Sequence, residues 1–152
     1  MCTSFLSELM TATHNFGTAP TRGASTADTF KAALYLTSAT VNAATTAYSA
    51  TGEVSGTNYT AGGVTVTNAT APLSTNSSAT AGVGYWTPSA SITYTTVTLS
   101  TAFDCVLIYN STQSNKAVSA HTFGSQTITA GTFTLTMPSN TTTTALLRLA
   151  TT

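Results

Sequence analysis

Along most of this chain, apolar and polar residues alternate with the period of two that a pleated strand imposes. In DTFKAALYLT (28–37), Phe30, Ala32, Leu34 and Leu36 share one side, and Lys31, Ala33 and Tyr35 share the other. That pattern predicts a strand with one face on the core. Alternation returns in VTVTNAT at Val64 and Val66. In YWTPSASITYTTVTLS, Ile92 and Tyr94 keep one phase and Val97 and Leu99 the other, so a bulge is expected near Thr95–Thr96. AFDCVLIYN is almost continuously apolar and reads as a central strand covered on both faces. KAVSAHTFG is the next strand. SQTITAGTFTLTMP splits at Ala130–Gly131, with Phe133, Leu135 and Met137 inward. ALLRLA closes the chain as a strand tied down by Leu147 and Leu149.

One segment breaks this period. SFLSELM sets Phe5, Leu6, Leu9 and Met10 on one helical face. One or two turns are stable only when docked, so this helix either packs under the sheet or reaches a neighbouring subunit. The connections carry turn chemistry. THNFGTAPTRGAST is a loop, and SATVNAATTAYSA is a loop with a short strand or turn around Tyr48. TGEVSGTNYTAGG (51–63) holds Gly52, Gly56, Gly62 and Gly63, which suit positive φ. APLSTNSSATAGVG is the longest polar stretch and is expected to be a mobile loop, while NSTQSN and SNTTTT are turns. About eight short strands separated by turns predict an all-β, single-domain β-sandwich, of jelly-roll or immunoglobulin-like Greek-key type, with a short N-terminal helical segment. Residues 1–28 form the helix-and-loop arm and 29–152 the sandwich. A Cys–Trp–Cys pattern is lacking, so a true immunoglobulin domain is not supported.

Composition strengthens the β reading. Threonine is about a quarter of the residues, and its branched Cβ favours the pleated sheet. Charged residues are only 5%, against roughly 25% in ordinary soluble domains. Arg22, Lys31, Lys116 and Arg148 balance Glu8, Asp28, Glu53 and Asp104, for a net charge of zero. Scattered cations make no basic patch, which argues against nucleic acid as a partner. So weakly charged a surface suits a protein packed against copies of itself or a partner. No basic n-region and apolar run opens the chain, and no apolar stretch reaches membrane-spanning length. The sequons at Asn58, Asn68, Asn76, Asn110 and Asn140 are therefore read as accidents of a Thr-rich chain. Cys105 lies in an apolar run and reads as a buried hydrophobe; with Cys2 it makes no disulfide framework and no metal spacing. The expected setting is a reducing cytoplasm.

Candidate chemistry is sparse. His14 and His121 could each meet Asp28 or Asp104 in space. No nucleophile elbow, zinc-binding helix motif or phosphate-cradling glycine loop accompanies them. The chain is read as a non-enzyme without cofactor or metal. Tyr85–Trp86, Tyr94 and Tyr109 could form a sugar-binding platform, but the carboxylates such sites use are scarce. The VTVT and TFTLT runs invite an ice-binding reading, yet their threonines alternate with large core residues in unequal strands. Assembly remains: sheet faces, strand edges and close backbone contacts rather than salt bridges.

The runs HNFGT…DTFKAALYLTSATVNAATTAYSATGEVSGTNYTAGG and FDCVLIYNSTQSNKAVSAHTFGSQTITAGTFTLTMP…ALLRLA resemble a family of small Thr/Gly-rich virion-associated structural proteins of tailed bacteriophages. The likeness covers most of the chain outside the 72–86 loop. It departs at His121, which precedes Thr122–Phe123–Gly124 where an acidic residue is commoner in that family. The resemblance implies an accessory structural protein of a virion, made in the host cytoplasm. A capsid decoration (cement) protein is the first choice and a tail component the alternative; a carbohydrate-binding module is the third. The implied partners are the major capsid protein or tail proteins, with a homo-oligomer, trimer or ring. Phe5, Leu9, Glu53 and Tyr59 are the expected subunit contacts, Glu53 as the directional one and Tyr59 as the anchor of loop 51–63.

Overall fold

The structure, a computed structural model, describes residues 1–10, 13–16, 27–67, 71–75 and 82–150. Among the described residues, one helix, α1 (Thr3–Met10), precedes seven strands: β1 (Phe30–Leu36), β2 (Val64–Thr65), β3 (Leu73–Ser74), β4 (Val83–Trp86), β5 (Ile92–Asn110), β6 (Lys116–Leu135) and β7 (Leu147–Ala150). They form two antiparallel sheets, a four-stranded one ordered β2-β1-β5-β6 and a three-stranded one ordered β3-β4-β7. The chain is an all-β, sandwich-like single domain with a small N-terminal helix.

Two strands carry most of the architecture. β5 has 19 residues and β6 has 20, where several short strands were expected. The reason is that the phase change and the apparent split are both bulges, which the ladder absorbs without reversing. Pairing slips between Tyr94 and Val97, and Thr96 takes φ 51°, at the place the alternation predicts. Ala130 takes φ 47° and its N–H donates to Thr98 Oγ1 at 3.0 Å. The chain therefore kinks at Ala130–Gly131 and runs on.

Three further expectations change. β1 is buried on both faces: Phe30, Ala32 and Leu34 on one, Ala33 and Tyr35 on the other. The segment from Tyr48 to Gly63 packs back onto the strand, along its edge through Gly52 and Val54 and against Tyr35 of the second face through Ser49 O. Within 71–84, Leu73 pairs with Tyr85 and Ser74 with Gly84, so part of that polar stretch is strand; residues 76–81 lie outside the described residues, as do 17–26 of the first loop. Leu147 is buried, but Leu149 is 43% exposed and does not tie the strand down. It pairs across from Gly84, which offers no side chain to pack on.

Residues Thr3–Met10 and 13–16 are docked on the sandwich. Phe16 stacks on Phe30 at 4.4 Å between ring centroids, and Trp86 and Phe5 lie 4.7 and 5.9 Å from it. Burying such rings, each worth a few kcal/mol, compensates for the short helix's weak intrinsic stability. Cys2 N–H donates to Val118 O at 2.9 Å, which lays the start of the chain along β6.

Candidate functional site

Loop 51–63 meets its own sheet. Leu36 N–H donates to Gly52 O at 2.9 Å, and Val54 N–H donates to Leu34 O at 3.0 Å. The loop thus supplies hydrogen-bond partners to the edge of β1 that β2 leaves bare. Gly63 sits at φ +73°, where a Cβ would lie 1.7 Å from Ala32 O. Gly56 serves differently from expectation: its φ is unexceptional, but a Cβ would lie 2.0 Å from Thr98 O. Only glycine lets these backbones approach so closely.

Glu53 is the hub of this cover. Its Oε2 accepts the Tyr48 hydroxyl at 2.6 Å. Its Oε1 accepts the Tyr59 hydroxyl and Gly62 N–H, both at 2.7 Å. Tyr59 also accepts Leu34 N–H at 3.0 Å, so it joins strand to carboxylate. Tyr109 donates to Gly62 O and Tyr94 to Ala32 O, at 2.8 and 2.7 Å. Tyr48 stacks on Tyr109 and Tyr59 on Tyr94. Burial first, and then Glu53, push the pKa values of Tyr48, Tyr59, Tyr94 and Tyr109 above the ordinary phenol range. Tyr35, which donates to Ser49 O, is pushed up to about 12 by burial, which outweighs the lowering effect of that bond.

A second polar cluster fastens the N-terminal segment. Glu8 Oε1 accepts Lys116 Nζ at 2.8 Å and Glu8 Oε2 pairs with His14 Nε2 at 2.7 Å. His14 Nδ1 lies 3.1 Å from Asn110 Nδ2. The Asn110 oxygen already accepts the N–H groups of Thr112 and Gln113, so its amide donates to His14 Nδ1 and to Asp28 Oδ2. His14 thus links Glu8 to Asn110. Burial opposes ionisation of Glu8, but Lys116 and His14 together outweigh it and hold the carboxyl below its ordinary range. His14 thus meets Asp28 only through Asn110. His121 instead contacts Ser119 Oγ at 3.0 Å, and burial lowers its basicity. Burial also raises Cys105 to about 11, as befits an inert core thiol.

The surface offers a groove of about 500 Å3 between α1 and the three-stranded sheet. Phe5, Leu9, Phe16, Trp86, Leu147 and Leu149 line it, with Met1 and Leu73 at its rim. Among the described residues, the exposed large apolar side chains are Met1, Leu73 and Leu149, at 40, 48 and 43%, and all three belong to this groove. Among the described residues, no Asp, Glu, Lys or Arg contributes to its lining.

Of the expected subunit contacts, Phe5 is 2% exposed within its own chain. The polar atoms of Glu53 and Tyr59 are committed to the loop cover. Leu9 lines the groove. The imagined sugar platform is divided: Tyr94 and Tyr109 lie under the loop, whereas Trp86 packs with Phe16 and Phe30. Sequence reasoning missed Leu149 and Leu73 as surface residues. It also missed Tyr48 as a partner of Glu53, although a lone acid without a nearby cation is a signal to look for hydroxyl donors.

The class these features define is an all-β, sandwich-like domain with internally satisfied polar clusters and an apolar groove beside α1. Comparison with protein-family models, curated proteins and solved structures finds no match to this chain.

Proposed function

We propose that this chain is an accessory structural protein of a tailed-phage virion, a capsid decoration (cement) protein that acts through protein–protein contacts. The observation that carries the reading is the gathering of Met1, Leu73 and Leu149 on a groove whose described lining has no charged side chain of Asp, Glu, Lys or Arg. Exposed apolar patches of this kind are interaction surfaces, and an uncharged lining matches an apolar counterpart. Glu8, Asp28 and Glu53 hold backbone and side-chain donors that fix the fold, which fits an assembly role rather than a reactive one. The resemblance of the 28–63 and 103–150 regions to virion-associated phage proteins supplies the setting.

The test is the copy number of this chain in purified virions, by quantitative mass spectrometry against the major capsid protein. Copies on the order of hundreds agree with decoration of a symmetric shell. A few tens or fewer move the protein to the tail. Absence from particles overturns the reading.

A further inference from the structure

We propose that the free edge of β7 pairs antiparallel with β7 of a second copy, across a two-fold axis at Leu149, and joins the two apolar grooves. This rests on the assembly reading above and names the first partner of the groove.

Three observations converge on β7. It is an edge strand of the three-stranded sheet. Its ladder with β4 runs in unbroken register from Val83↔Ala150 to Trp86↔Leu147, so no bulge turns the edge away. Its outer backbone groups have no partner among the described residues. A regular edge, even one of four residues, is a template for another strand. The side chains agree. Leu147 and Leu149 line the groove, and Leu149 is exposed. Residues 148 and 150 alternate to the opposite face.

The chemistry selects a second copy. An axis at Leu149 sets Leu149 against its own mate and Arg148 against the mate's Ala150. No like charges then face each other, and Arg148 Nε is already held by Thr142 O at 2.6 Å. The pairing yields a continuous six-stranded sheet, and each copy's Leu149 closes over the other's groove. Groove lining and strand together offer somewhat under the roughly 20–30 residues a side of a standard interface. The dimer should therefore dissociate in the micromolar range, with a two-fold isologous contact.

The experiment is sedimentation velocity on the full chain from about 1 to 100 μM. The expected result is a monomer–dimer equilibrium. Leu149→Lys and Leu149→Glu should each weaken it at least about tenfold, because each sets a charge against itself. Mixing the two variants should restore a heterodimer. Both melting temperatures should stay near the parent's, since Leu149 is exposed. If either variant fails to fold, the parent alone decides: amide hydrogen exchange at 147–150 should slow as concentration rises. A monomer throughout, a trimer, or a dimer indifferent to charge at 149 overturns the pairing. A dimer retained in a protein absent from particles sinks the virion reading alone. A monomer present in hundreds of copies sinks the pairing alone.

Discussion

Two strand edges of this sandwich have opposite fates. The outer edge of β1 is closed along its length, by β2 at Lys31 and Ala32 and by residues 52–54 and Tyr59 further on. The outer edge of β7 has no such cover among the described residues and carries an exposed leucine. A third edge, that of β6, combines two devices: at its start Ala117 N–H donates to Thr46 O and Cys2 N–H to Val118 O, which covers the edge. Its ladder slips repeatedly between Phe103 and Tyr94, and such bulges twist an edge out of reach of a partner. Closing an edge with a loop demands glycines for close approach, a carboxylate and a set of tyrosines. Leaving one bare demands nothing, yet exposes a protein to association. Among the described residues, then, the chain protects the edges of β1 and β6 and leaves that of β7 open to contact.

The sharpest way to break this contrast is to lift the loop from β1. Gly63→Ala places a methyl group into Ala32 O and forces alanine to positive φ. Overpacking and the left-handed backbone together should cost about 4 kcal/mol, read by urea denaturation. A loss under about 1 kcal/mol would mean that the loop does not lie on the strand. Next in size is Glu53→Ala. It strands the donors of Tyr48, Tyr59 and Gly62 and should cost about 3 kcal/mol. Because it also frees the β1 edge, light scattering should rise with concentration in this variant and not in the parent. If stability falls without association, the loop stabilises the fold but does not guard the edge.

Tyr59→Phe is a smaller cut, about 2 kcal/mol, since it removes one hydroxyl that bridges Leu34 N–H and Glu53. The same tyrosines predict an alkaline limb. Their folded pKa values are raised, so their contribution is complete below the ordinary phenol value of about 10. It is lost as pH rises through the folded value, near 12 for Tyr35. Stability followed by denaturant titration should therefore fall above about pH 10, and less steeply in Tyr59→Phe. Equal slopes would show that Tyr59 ionises alike in both states.

How much of this was legible in the sequence follows from the range of each signal. The alternation over Phe30–Leu36 and the phase change after Tyr94 are local, and strand and bulge lie where they predict. The helical face of Phe5 and Leu9 is local too. The break at Ala130–Gly131 was legible as a break but not as a bulge, because turn and bulge use the same small residues and differ only in what the next strand pairs with. Burial of Ala33 and Tyr35 depends on a loop that returns from Tyr48 to Gly63. Exposure of Leu149 depends on strand order and on Gly84 across the ladder. Neither is written in the residues themselves. The Glu53 hub lies between: Tyr48 and Tyr59 are near it in sequence, but their convergence on one carboxylate is a product of the fold.

The smallest expected effect concerns the open side, where α1 walls the groove. Glu8 ties that helix to Lys116 at the start of β6 and to His14. Its folded pKa is lowered, so its stabilisation is present above the ordinary carboxyl value of about 4.3 and is lost as pH falls through the folded value. Lys116 is partly exposed, which screens the pair. Glu8→Gln should therefore cost only about 1 kcal/mol near neutrality, and the gap between parent and variant should close as pH falls from 5 toward 3. Amide exchange at Cys2, whose N–H is held by Val118 O, reports the docking of this segment directly and should quicken in the variant. Leu9 and Phe5 line the groove from α1, so loosening the helix should also weaken self-association. A gap constant across that pH range would assign Glu8 a packing role, leaving the groove's wall to its apolar contacts alone.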